Sequence, residues 1–87
     1  MPTYAVEFTK SAQKELKKLN PETALRITKA IHELTDNPRK GNVRPMIGTK
    51  SWRLRVGHYR VIYDILDKKL VVLIIRVRHR SQIYRRH

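Results

Sequence analysis

The residues of this chain that could do chemistry crowd into its last third. Arg53, Arg55 and Arg60 fall within eight positions of one another, and His79, Arg80 and Tyr84 follow near the C-terminus. Arginine presents a planar fork of donors matched to phosphate oxygens and stays charged at any ordinary pH. A tyrosine set among cations has its phenolate favoured, which lowers its pKa from about 10 and makes it a candidate proton acceptor. These two residue types suit phosphoryl chemistry on RNA without a metal or other cofactor. The 2′-OH of a nucleotide attacks its own 3′-phosphate once a base takes its proton. The phosphorane then needs positive charge around it, and the leaving 5′-oxygen needs a proton.

Other chemistries lack their residues. His32, His58, His79 and His87 are scattered, with no metal-ligand spacing near carboxylates. There is no Gly-rich phosphate loop and no Ser-His-Asp arrangement. Asp64 and Asp67 are the only acids after residue 36, which argues against paired catalytic carboxylates.

Charge points to the same kind of partner. The 87 residues carry 20 Lys and Arg against 7 Asp and Glu, a formal +13, and the excess is concentrated after residue 49. Such a field attracts polyanions, with nucleic acid ahead of an acidic protein or an anionic membrane surface. No long basic amphipathic helix supports the membrane alternative. The chain has no cysteine, its N-terminal residues do not read as a signal peptide, and its longest apolar run, Leu70 to Ile75, is too short to span a bilayer. The expectation is one domain, residues 1–87, in the cytoplasm.

Elements must position these arginines. Tyr4, Val6 and Phe8 alternate with Ala5 and Glu7, which predicts a first strand over residues 2–8. Thr9 or Ser11 can cap a helix bearing Ala12, Leu16 and Leu19 on one face. Asn20-Pro21 closes it and opens a second, with Ala24, Ile27, Ile31 and Leu34 as its apolar stripe. Residues 36–50 read as an exposed loop with a short edge strand at Val43–Ile47, where Pro45 is tolerated. Three strands follow. If Gly57-His58 is a two-residue turn, Arg55 pairs with Arg60 and Trp52 with Tyr63. Trp52, Leu54, Val56, Tyr59, Val61 and Tyr63 then share the face that the helices cover, and Arg53, Arg55 and Arg60 share the other. Residues 70–77, LVVLIIRV, are apolar on both faces and predict the most enclosed strand. The fold class is α+β: a small antiparallel sheet of 3–5 strands with an N-terminal helix hairpin on one face.

Like charges facing each other across strands are destabilising. Either Asp64 or solvent relieves Arg55 and Arg60 as a merely wet face, or a phosphate sits among them.

WRLRVGHYRVIYDI, DKKLVVLIIRVRHR and the closing Tyr84, together with FTKSAQKELKKL and the NP that ends the second helix, resemble the RelE toxins of the RelE/ParE superfamily over nearly the whole chain. The resemblance implies a ribosome-dependent endoribonuclease, the toxin of a type II toxin–antitoxin pair. It would cut mRNA in the decoding site of the small subunit through 2′-OH attack and be silenced by a RelB-type antitoxin. Carried over by position, Arg53 and Arg55 hold phosphate and stabilise the transition state, Arg60 faces the scissile phosphate, Arg80 is the general acid and Tyr84 the general base. His79 could share the proton transfer, and Arg78 and Arg80 could exchange roles. Lys50, Arg78 and Arg85 flank the set as RNA-binding residues. Arg at 53 and 55, where some members have Lys, keeps the charge but lowers any capacity to donate a proton. The ParE branch, which poisons DNA gyrase without cutting RNA, and a catalytically inactive antitoxin- or nucleic-acid-binding module are the alternatives.

Overall fold

The computed structural model describes residues 3–81. The chain opens with strand β1 (Ala5–Phe8), then helices α1 (Lys10–Lys17) and α2 (Pro21–Glu33), and finishes with strands β2 (Val43–Pro45), β3 (Trp52–Val56), β4 (Tyr59–Leu66) and β5 (Val71–His79). Local chemistry sets the helix ends. The Thr9 side chain accepts from the Ala12 amide at 3.1 Å, and Asn20 accepts from the Thr23 amide at 2.8 Å, with Pro21 at the first turn of α2.

The five strands form one sheet in the order β1-β5-β4-β3-β2. The expected antiparallel pairing holds from β2 to β5, but β1 joins β5 in parallel, so the sheet is mixed. The cause is topological: the two helices carry the chain from one edge of the sheet to the other, and β1 remains beside the last strand. Periodicity within a strand says nothing about the partner that strand will take.

Both helices cover a single face of the sheet. Ala12 of α1 and Ile27, Ile31 and Leu34 of α2 and its end are buried against Leu54, Val56, Val61, Tyr63, Val72, Ile74 and Val77. Tyr63 is fully buried and donates through its hydroxyl to the Pro38 carbonyl at 2.6 Å, which pins the loop after α2 to the core. At the same end, Arg39 makes a forked pair with Asp67, at 3.1 and 2.7 Å, and the Tyr4 hydroxyl donates to Asp67 at 2.7 Å.

The last strand departs from simple alternation. Tyr63 pairs with Ile74 but Ile62 pairs with Arg76, so Ile75 is an extra residue in β5. Such a bulge reverses which face the following side chains take. Without it, Arg76 and Arg78 would continue the row of Val72 and Ile74 into the core; with it, Val77 enters the core. The bulge is held by Thr9, whose amide donates to the Ile74 carbonyl at 2.9 Å and whose hydroxyl donates to the Ile75 carbonyl at 2.8 Å.

Candidate nucleic-acid interface

The β3–β4 turn has the predicted register. Gly57 adopts φ 58°, a left-handed value that a side chain would strain, and Arg55 pairs with Arg60 and Arg53 with Ile62. Beyond β4, Arg60 pairs with Arg78 and Ile62 with Arg76, and on the other side Arg53 pairs with Arg44. Two rows therefore cross the face that the helices leave open. One is Arg55–Arg60–Arg78; the other is Arg44–Arg53–Ile62–Arg76. Sequence reasoning missed Arg44 and Arg76. Arg44 could have been found from the edge strand's register. Arg76 could not, because the bulge that aims it is built by α1.

A cleft of about 500 Å³ opens over these rows, lined by the Gly41–Arg44 segment and by Arg53, Arg55 and Arg60. Arg60 is only 8% exposed, and its Nη1 donates to the Tyr59 carbonyl at 3.3 Å. Among the described residues, no carboxylate lies within ion-pair distance of Arg53, Arg55 or Arg60. Asp64, which shares their face, instead accepts from the Ser51 hydroxyl at 2.6 Å and pairs across the strands with Leu73. A buried guanidinium without an acid is costly unless an anion joins it. The cleft is thus a preformed positive site with room for a phosphate and the sugars on either side.

The β5 side is different. Glu15 of α1 accepts from Arg76 Nε at 3.1 Å, Arg76 Nη2 at 2.9 Å, Arg78 Nε at 3.2 Å and the Val77 amide at 2.7 Å. Burial pushes this carboxyl up, but the hydrogen bonds from Arg76 and Val77 and the charges of Arg76 and Arg78 outweigh burial and hold it below its ordinary range.

The remaining sequence candidates fall in separate places. His79 pairs with Tyr59, so it lies on the helix-covered side and not with the arginines. Its ring meets Tyr59 edge-on at 5.2 Å and stacks on His58 at 6.2 Å, and Nδ1 lies 2.9 Å from the Ser81 hydroxyl. Arg80 is exposed where the chain leaves β5, and its amide donates to the His58 carbonyl at 2.7 Å. Lys50 is exposed just before β3. Tyr84 and Arg85 lie outside the described residues. Hence the structure brings Arg53, Arg55 and Arg60 together and leaves His79 off their face. Among the described residues, no cluster of three or more His, Cys, Asp or Glu could hold a metal ion, and no helix is long and apolar enough to cross a membrane.

Comparison with known proteins places this geometry in context. A family model described as the ParE toxin of type II toxin–antitoxin systems matches residues 6–84. The toxin RelG of Mycobacterium tuberculosis is 40% identical over 87 aligned positions, covering 95% of this chain and 98% of that protein. The mRNA interferase toxin RelE of Escherichia coli is 33% identical, covering 93% of this chain and 90% of that one. The fold is similar to the M. tuberculosis RelBE2 toxin–antitoxin complex, with a TM-score of 0.84 at 31% identity over 93% of this chain and 95% of the matched chain.

Proposed function

The chain belongs to the RelE/ParE family of toxins of type II toxin–antitoxin systems and is RelE-type, and from that premise we propose that it is a cytoplasmic endoribonuclease that cuts mRNA in the ribosomal decoding site. The observation that carries this reading is the cleft over Arg53, Arg55 and Arg60, with Arg60 buried and unmatched by any acid among the described residues.

In this mechanism the 2′-OH upstream of the cut loses its proton to Tyr84, and its oxygen attacks the adjacent phosphorus. The P–O5′ bond breaks, leaving a 2′,3′-cyclic phosphate on one fragment and a 5′-OH on the other, protonated by Arg80. Arg60 lies against the scissile phosphate, and Arg53 and Arg55 neutralise the equatorial oxygens as charge builds on them. Fixed donors that strengthen only in the transition state are worth about 10²–10³ in rate each. Three guanidinium groups supply the positive charge that a metal ion would otherwise bring, so cleavage should need no metal beyond the Mg²⁺ that keeps the ribosome assembled. Any guanidinium close to the Tyr84 phenol would ease its ionisation. Lys50 and Arg85 serve as further RNA-binding residues. A RelB-type antitoxin holds the toxin silent, in keeping with the toxin–antitoxin complexes among its structural relatives.

Toe-printing a translated message tests the reading. Cuts inside codons on ribosomes are expected. An intact message together with stalled gyrase–DNA complexes would instead support the gyrase-poisoning alternative of the ParE branch.

A further inference from the structure

The register sets Arg78 beside the buried Arg60 and Arg76 one row further along, on the same face of the sheet. Yet neither lines the cleft, whose walls come from the Gly41–Arg44 segment, β3 and Arg60. Both guanidinium groups turn to Glu15, whose side chain is 21% exposed. One carboxylate oxygen takes all three arginine contacts. The other takes the Val77 amide, which lies beyond the reach of β1 because that pairing ends at Ile74. Three arginines in one cross-strand row repel one another, and a carboxylate on the end member removes much of that repulsion.

We propose that Glu15 is a positioning residue for the phosphate cleft: it draws Arg76 and Arg78 back to α1, so that Arg53, Arg55 and Arg60 remain the cations that meet RNA and Arg60 keeps a fixed place. The inference rests on the RNA-cleaving reading above and gives Arg78 a task other than proton donation, which leaves Arg80 as the general acid. It also explains the bulge at Ile75. The extra residue puts the two arginines on the open face, and Thr9 and Glu15, at the start and middle of α1, respectively fix the bulge and occupy those arginines.

The substitution E15Q separates the positioning role from a structural one. Glutamine keeps an oxygen for the Val77 amide but loses the charge that holds the arginines. Released, Arg76 and Arg78 add one or two cations beside Arg60. Anisotropy titrations with a single-stranded RNA oligonucleotide should then show tighter binding at low salt. The log–log salt slope should steepen by about 0.7–1.4, the increment for one or two further phosphates neutralised on a single strand. Single-turnover cleavage on programmed ribosomes should meanwhile fall at least tenfold at saturation. Tighter binding with slower cutting is a split that simple destabilisation does not produce. The triple variant E15Q/R76A/R78A should lose the extra slope. An unchanged slope in E15Q, or binding and cleavage falling in parallel with melting temperature, overturns the proposal.

A measurement on the unaltered protein guards against a variant that does not fold. In ¹⁵N spectra, titrating RNA should shift the Nε–H signals of Arg53, Arg55 and Arg60 and leave those of Arg76 and Arg78 in place. Comparable shifts at all five would contradict the clamp. Neither binding experiment requires catalysis, so a wild-type protein that binds RNA but cuts no message would refute the proposed function while the slopes and shifts still judge Glu15.

Discussion

At the scale of single residues, Arg60 is the centre of the cleft. A guanidinium cannot shed its proton to ease burial, so its charge must be met by something else. Among the described residues its row neighbours are like charges, its hydrogen bond goes to a backbone carbonyl, and Asp64 on the same face is not ion-paired to it, which is why the cleft is read as a phosphate seat. Replacing Arg60 by Ala should lower single-turnover cleavage by about 10²–10³-fold while the melting temperature holds or rises, since a buried like charge has gone. If cleavage survives that change, the phosphate belongs elsewhere. Tyr84→Phe should flatten the rise of rate with pH; the same rate at every pH would remove it as the base. His79 offers the opposite lesson. In the sequence it neighbours Arg80 and invites a share in proton transfer, but a strand sends adjacent residues to opposite faces, and it packs on Tyr59 and His58 instead.

At the scale of elements, the turn and the bulge explain what could be read in advance. Gly57-His58 fixes its own register locally, so the pairing of Arg55 with Arg60 and the two faces of β3 and β4 were legible from alternation alone. The helix caps and the core stripe of α2 were legible for the same reason. The bulge was not, because Thr9, which fixes it, stands more than sixty residues before the strand that it shapes. The stretch LVVLIIRV therefore read as apolar on both faces, when its second half turns Arg76 outward and Arg78 follows on the same side. Glu15 also ties stability to pH. Its folded pKa is below its ordinary value of 4.5, so the clamp stabilises fully above that value and is lost as pH falls through the folded one. Denaturant unfolding at about pH 6 and about pH 3 should show a smaller loss for Glu15→Gln than for the wild type. Equal losses would mean that the carboxylate contributes nothing on folding. Elsewhere in the sheet, Tyr63→Phe removes the donor to the Pro38 carbonyl. It should cost about 1–2 kcal/mol, read as a fall of roughly 4–16 °C in melting temperature for a domain of this size.

At the scale of the whole molecule, the sheet divides the labour between its faces. One face is spent on the core, and the other gathers charge that folding alone would avoid. A formal +13 on 87 residues makes association with RNA and the ribosome steeply dependent on ionic strength. It also makes simple binding to RNA a poor proof of function, because any such protein binds RNA at low salt. The central claim concerns chemistry, and the 2′-oxygen is its reporter. Ribosomes programmed with a message lacking the 2′-OH on the nucleotide upstream of the cut should resist the toxin. The matching all-ribose message should be cut there and yield a 2′,3′-cyclic phosphate end. Equal cleavage of the two messages would contradict the account.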